Sequence, residues 1–140
     1  TMSQYFKDKS YDIRKFQHWT LTLHSNQSYL GRCICCLNIY KENITELTDK
    51  EFLEVKQIIK EYQDALTKLW QPDFWNYSQL GNATPHIHFH FVPRYKEKRI
   101  FEGVEFIDER WGKNYNPSPN RPENKELNEK IRQAITSLLI

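Results

Sequence analysis

The stretch His86-Ile87-His88-Phe89-His90-Phe91-Val92 alternates an imidazole with an apolar side chain. A period of two is the signature of a β-strand. In a strand begun at His86, the three histidines share one face, about 7 Å apart along the chain at the usual rise of about 3.3 Å per residue. Ile87, Phe89 and Phe91 then share the opposite face and belong to a core. A slip of one residue would bury three imidazoles and expose three large apolar groups, so burial sets the register. Pro93 closes the strand. These are three of the chain's five histidines, a concentration that argues for chemistry and against a solvated face.

Working outward, residues 79–85 read as a loop and residues 74–78 as a strand. Thr48-Asp49-Lys50-Glu51 is a capping-box sequence. Phe52, Val55, Ile59, Tyr62, Leu66 and Leu69 follow at spacings of three and four, and Pro72 stops the pattern. This predicts a long amphipathic helix over residues 48–70. Residues 19–23 alternate around Thr20 and Thr22 and read as a strand, with a turn at residues 25–28. Residues 30–39 contain Cys33-Ile34-Cys35-Cys36-Leu37, an apolar run suited to a strand buried on both faces. Residues 1–15 are polar and predict an arm or a short helix. Gly112, Pro117, Pro119 and Pro122 make residues 111–122 an extended connection. Leu127, Ile131, Ala134 or Ile135, and Leu138 predict a final amphipathic helix. Short gaps between paired strands favour antiparallel pairing. The fold class is therefore α+β: an antiparallel sheet covered by one long helix, with a C-terminal tail and helix.

The 140 residues fit one domain and suffice for a core without disulfides or a structural metal. A hydrophobic share of 39% with 27% charged residues is globular in character. A net charge of +2 is too small to argue for a nucleic-acid or membrane surface, yet it suits a small pocket for an anion. The first eighteen residues carry Lys7, Lys9, Arg14 and Lys15 but no apolar run, so neither a signal peptide nor a membrane span is expected. Cys33, Cys35 and Cys36 are an odd, clustered set. They make no disulfide framework, lack a second pair for zinc, and fit buried strand positions in a reducing cytoplasm.

Aligned imidazoles support two chemistries. Three histidines and a water can hold a catalytic metal. Alternatively, one neutral imidazole can attack phosphorus while a neighbour donates a proton to the leaving group. Alternation alone leaves both open.

The flanks add a resemblance. Thr84-Pro85-His86-Ile87-His88-Phe89-His90-Phe91-Val92-Pro93-Arg94-Tyr95 resembles the signature of the histidine-triad superfamily. The long capped helix and the strand at residues 74–78 precede it in that family's order. The turn containing Gly31 is similar to the one between the family's first strands. The likeness covers roughly residues 19–95 and leaves residues 96–140 as an extension of a single domain.

It implies a nucleotide hydrolase or transferase acting at the α-phosphate, of the type that cleaves dinucleoside polyphosphates or nucleoside phosphoramidates. His88 would attack and form a nucleotidyl-histidine, His90 would contact the leaving atom, and His86 would orient the nucleophile. No metal or cofactor is implied, and a homodimer is. Asn82 matches a phosphate-contacting amide; Gln79 and Thr84 of the same loop, and Asn26, are weaker substrate-binding candidates. Many members carry a fourth histidine after the turn glycine, where this chain has Arg32. A guanidinium there would hold phosphate rather than orient the strand histidines. His18 and His24 receive no role. The alternatives are a metal-dependent hydrolase using the three histidines, and a nucleotide-binding sensor with little turnover. Phe101 to Trp111 and the segment behind them would close over a substrate, cross to a partner, or simply pack.

Overall fold

The computed structural model describes residues 9–119 and 121–139. Strands β1 (Asp12–Lys15), β2 (Trp19–Leu23) and β3 (Cys33–Leu37) precede helix α1 (Asp49–Trp70); β4 (Phe74–Ser78) and β5 (His88–Arg94) follow it. They form one five-stranded sheet in the order β1-β2-β3-β5-β4, with every neighbouring pair antiparallel. The short strands β6 (Arg99–Phe101) and β7 (Val104–Phe106) pair separately, and helix α2 (Lys125–Thr136) ends the fold. The α+β class and the antiparallel sheet match the sequence reading. No helix of the described residues is long and apolar enough to cross a membrane.

The segment before Trp19 departs from expectation. Where an arm or short helix was predicted, Asp12–Lys15 is an edge strand. Its Ile13 is buried in the core, so one apolar residue suffices to dock a polar strand beside β2. Residues 1–8 of the predicted arm lie outside the described residues.

Helix α1 begins as its sequence dictates. The Thr48 hydroxyl accepts from Glu51 N–H at 3.2 Å, and the Glu51 carboxylate accepts from Thr48 N–H at 2.7 Å. Its buried face is Val55, Ile58, Tyr62, Ala65, Leu66 and Trp70. Ile58 replaces the predicted Ile59 and Phe52 stays 43% exposed, so the stripe is rotated by about one residue. The adjacent isoleucines make either rotation compatible with a period of 3.6. Tyr62 meets Phe91 of β5 with ring centroids 5.1 Å apart, which fixes the sheet face that the helix covers. Leu127, Ile131 and Ile135 bring α2 into the same core, while Leu138 lies beyond the helix end.

The sequence offered no strands after Val92. The hairpin β6–β7 turns through Glu102 and Gly103, both at positive φ (52° and 75°), the geometry of a tight two-residue loop. Residues 107–119 then run without helix or strand, as the glycine and prolines of residues 111–119 imply.

Candidate functional site

Residues opposite each other in an antiparallel pair share a face. Cys36 pairs with His88, Ile34 with His90, and Ser78 with His90 from the other side. Cys33 and Cys35 pair with Phe91 and Phe89, which point toward the helices. The sheet therefore has an aromatic face under α1 and a polar face carrying His88 and His90.

His86 is not on that face. The strand expected to start at His86 starts at His88. Leu37 N–H still bonds the Ile87 carbonyl (3.2 Å), but Ile87 N–H turns to the carbonyl of Lys41 (2.8 Å), so the ladder breaks one step before His88. His86 is fully buried in that break. Its Nε2 lies 2.7 Å from the Leu37 carbonyl, and Lys41 N–H donates to its Nδ1 at 3.2 Å. A carbonyl only accepts, so Nε2 carries a proton. Tyr40 stacks on it at 4.9 Å with the planes 14° apart. Lys41 in turn pairs with Glu51 at 2.8 Å. The capping box of α1 thus anchors the segment that grips His86.

That grip matters because His88 Nδ1 lies 2.7 Å from the His86 carbonyl. Nδ1 must donate, which makes Nε2 the basic nitrogen of the ring. The His90 ring is 5.1 Å from His88 in an edge-on arrangement, and its buried Nδ1 has no hydrogen-bond partner among the described residues. Burial first, then the Arg32 charge, then His88, pull the His90 pKa down to about 4. His90 is therefore a neutral imidazole near pH 7.

His24, to which the sequence gave no role, reaches this face. Its N–H bonds the Arg32 carbonyl at 3.0 Å, which extends the β2–β3 ladder by one pair. The rings of His24 and His90 are 6.4 Å apart. Carrying the alternation of Thr20 and Thr22 on by two residues would have found it. Burial first, then Arg32 and His90, lower its pKa to about 3. Arg32 is buried beside it. Tyr40 and Lys41 were also missed, because nothing local marks a residue that grips another 45 positions away.

The other predicted contacts are dispersed. Asn26 is committed to the turn and the tail: its Oδ1 accepts from Ser28 N–H and its Nδ2 donates to the Ser118 carbonyl, both at 2.9 Å. Gln79, Asn82 and Thr84 lie in the loop leading to His86, with Asn82 exposed and the other two half-buried. None of these three side chains is hydrogen-bonded among the described residues. Arg94, part of the Pro-Arg flank, is buried in an ion pair with Asp108 at 2.7 Å. It also donates to the carbonyls of Lys113 (2.8 Å) and Arg110 (2.9 Å), and so pins the tail to β5. The tail remains on its own sheet: Tyr115 OH meets Ser78 Oγ at 2.8 Å, and Asn116 N–H donates to Tyr29 OH at 2.9 Å. A cavity of about 690 Å³ opens between it and the β4 edge, lined in part by Ser78, Leu80 and Tyr115.

No three His, Cys, Asp or Glu side chains converge as a metal-ligand set among the described residues. The three-histidine ligand set fails on geometry, since His86 directs both ring nitrogens at backbone groups. The three cysteines are free and buried. Cys36, beside His88, has its thiol pushed up to about 12 by burial and then by Asp12.

No family model matches the sequence, and no curated protein does. Solved structures do. A histidine triad protein from Bradyrhizobium japonicum superposes with a TM-score of 0.73 at 16% identity, over 100% of this chain and 98% of that one. One from Marinobacter aquaeolei gives 0.71 at 18% identity, over 99% and 95%. A hypothetical histidine triad nucleotide-binding protein from Sulfolobus tokodaii gives 0.68 at 16% identity, over 97% and 87%. The chain has the histidine-triad fold.

Proposed function

We propose that this chain is a nucleotidyl hydrolase that cleaves at the α-phosphate of a nucleotide through a covalent intermediate on His88. The observation that carries this reading is the 2.7 Å contact from His88 Nδ1 to the His86 carbonyl. It orients the ring and leaves Nε2 as the nucleophilic nitrogen. In the first step Nε2 forms a bond to phosphorus, and the bond from phosphorus to the leaving atom breaks with its electron pair. The ring gains positive charge, which the His86 carbonyl stabilises through Nδ1–H. His90, 5.1 Å away, donates a hydrogen bond to the departing atom. In the second step water attacks phosphorus, the P–N bond breaks, and the water's proton passes to solvent or to the departed group. Nucleotide binding is the property that the Sulfolobus protein's name carries.

The test is direct. Incubation with adenosine phosphoramidate or a diadenosine polyphosphate is expected to release AMP, and acid-free mass spectrometry to place an adenylyl group on His88. His88→Ala should abolish both while the chain remains folded. Equal turnover in that variant refutes the mechanism. Tight nucleotide binding with no turnover across the panel replaces it with a sensor.

We propose in addition that the protein works as a homodimer. The outer edge of β4 is unpaired by any described strand, and Phe74 on it is 61% exposed. Light scattering at micromolar concentration is expected to give twice the 17.0 kDa chain mass; a monomer mass refutes it.

A further inference from the structure

The cavity of about 690 Å³ beside β4 takes no part in the attack by His88, yet it adjoins the reaction face. Ser78 joins the two. It lines the cavity, and it stands opposite His90 in the β4–β5 ladder, where paired Cα atoms lie about 4.5–5.5 Å apart. His90 serves the departing atom. Whatever group that atom carries therefore has the cavity within about one strand spacing of it.

The cavity's outer wall is built in advance. Arg94 holds the carbonyls of Arg110 and Lys113, Asn116 N–H donates to Tyr29 OH at 2.9 Å, and Ser118 N–H donates to Ser28 Oγ at 3.1 Å. These bonds grip the tail by its backbone. The side chains of Asn114 and Asn116 make no hydrogen bond among the described residues, and both residues line the cavity. Tyr115 is fixed twice over: its OH meets Ser78 Oγ at 2.8 Å, and its ring stands edge-on to Tyr29 with centroids 6.3 Å apart. Leu80, 64% exposed, lines the same space, so an occupant would cover a large apolar side chain now held in water.

Every residue that lines the cavity is uncharged. Aromatic rings, a leucine and a proline stand beside three amides and a hydroxyl, the mixture that suits a planar, uncharged group with a few polar atoms. A phosphate placed there would lose water and gain no cation. A neighbouring cavity of about 450 Å³ shares Asn76 and Asn114 and differs in this respect: Asp73, Arg94 and Lys113 line it, with Arg94 already paired to Asp108.

We infer that the cavity between β4 and the tail is the leaving-group pocket, and that it takes an uncharged aromatic group carried directly by the atom that leaves phosphorus. The inference rests on the reading of His88 for the place of the phosphate and selects among the substrates which that reading allows. The leaving atom has two chemical sources, the nitrogen of an arylalkyl amine or the oxygen of an arylalkyl alcohol. In either case the His88 Nε2–P bond forms, and the P–N or P–O bond breaks with its electron pair on the departing atom. That atom takes a proton from solvent, and the water that later resolves the adduct returns one.

Binding tests the pocket apart from the chemistry. In the full chain carrying His88→Ala, calorimetry compares adenosine 5′-phosphoramidate with its N-benzyl derivative, the methyl ester of AMP with the benzyl ester, and ADP with all four. The benzyl group is expected to tighten binding about tenfold, which is about 1.4 kcal/mol, and ADP to bind more weakly than either benzyl compound. Leu80→Trp, which fills the cavity from an exposed position, should bring the benzyl ratio to near one. Tyr115→Ala should lower it severalfold; if that change frees the tail, Leu80→Trp carries the test. In the wild-type chain, release of benzylamine or of benzyl alcohol assigns the leaving atom. A benzyl ratio near one, a ratio unmoved by Leu80→Trp, or ADP binding more tightly than the benzyl compounds overturns the pocket. A high ratio with no adduct on wild-type His88 leaves the pocket standing and removes the nucleophile; an adduct with a ratio of one does the reverse.

Discussion

Replacing His86 by alanine tests the central structural argument without assuming a substrate. The side chain is fully buried and serves backbone groups on both ring nitrogens. Its loss strands the Leu37 carbonyl and Lys41 N–H, each at a cost of about 1–3 kcal/mol when buried. It also removes the surface on which Tyr40 stacks. Partial collapse of the segment recovers some of this, which gives an expected destabilisation of about 3–5 kcal/mol. That is a large fraction of the roughly 5–15 kcal/mol of a typical domain. Urea unfolding measures it. Nitrogen-15 NMR of the imidazoles supplies the second readout, because His88 should lose its protected Nδ1–H and exchange tautomers. A misplacement of about 1 Å at a reacting group costs roughly a hundredfold in rate, so adduct formation on His88 should fall by that order. A loss of stability under about 1 kcal/mol, with the His88 proton still protected, would refute the idea that His86 holds the carbonyl in place.

Three further outcomes are expected. Gly31→Ala combines a left-handed backbone with a 2.7 Å approach to Leu66, so about 2–4 kcal/mol of stability should be lost in denaturant titration, against under 1 kcal/mol if the turn relaxes freely. His24 and His90 are depressed to about 3 and about 4 in the folded chain, so below about pH 6.5 the unfolded state binds more protons. Stability is then full above about pH 6.5 and falls with acidification toward those values, by at most about 1.4 kcal/mol per pH unit for each ring; His24→Gln should flatten the slope between pH 6 and 4 in urea melts. Asp108→Asn leaves the buried Arg94 charge without its carboxylate, which should cost about 3–5 kcal/mol and open residues 109–119 to limited proteolysis, whereas an unchanged digest would show that the tail is held elsewhere.

What was legible in the sequence is what repeats locally. The alternation through Val92, the capping box at Thr48 and the spacing from Val55 to Leu66 each encode an element within a few residues. His86 was misplaced because alternation is blind to the segment lying alongside: only the turn of residues 37–41 away from β5 decides where the ladder stops. His24 was missed because its significance comes from pairing with Arg32 across a seven-residue turn. The β6–β7 hairpin rests on Glu102 at positive φ, an uncommon choice that carries no turn signal except Gly103. Arg94 appeared as one letter of a motif, and its partner Asp108 lies beyond the region that the motif covers.

That last contact bears on how the chain can be cut. Residues 19–95 hold every histidine of the polar face, so a fragment ending there would seem a minimal unit. It is not separable. Excision after Tyr95 removes Asp108 and the carbonyls of Arg110 and Lys113, leaves the buried Arg94 guanidinium without its carboxylate, and takes Tyr115 off the Tyr29 ring, whose other face that guanidinium overlies at 5.2 Å. The last third of the molecule is therefore an obligate counterpart of the strand that carries the nucleophile, and a shortened version would need Arg94 redesigned to an uncharged residue before it could fold.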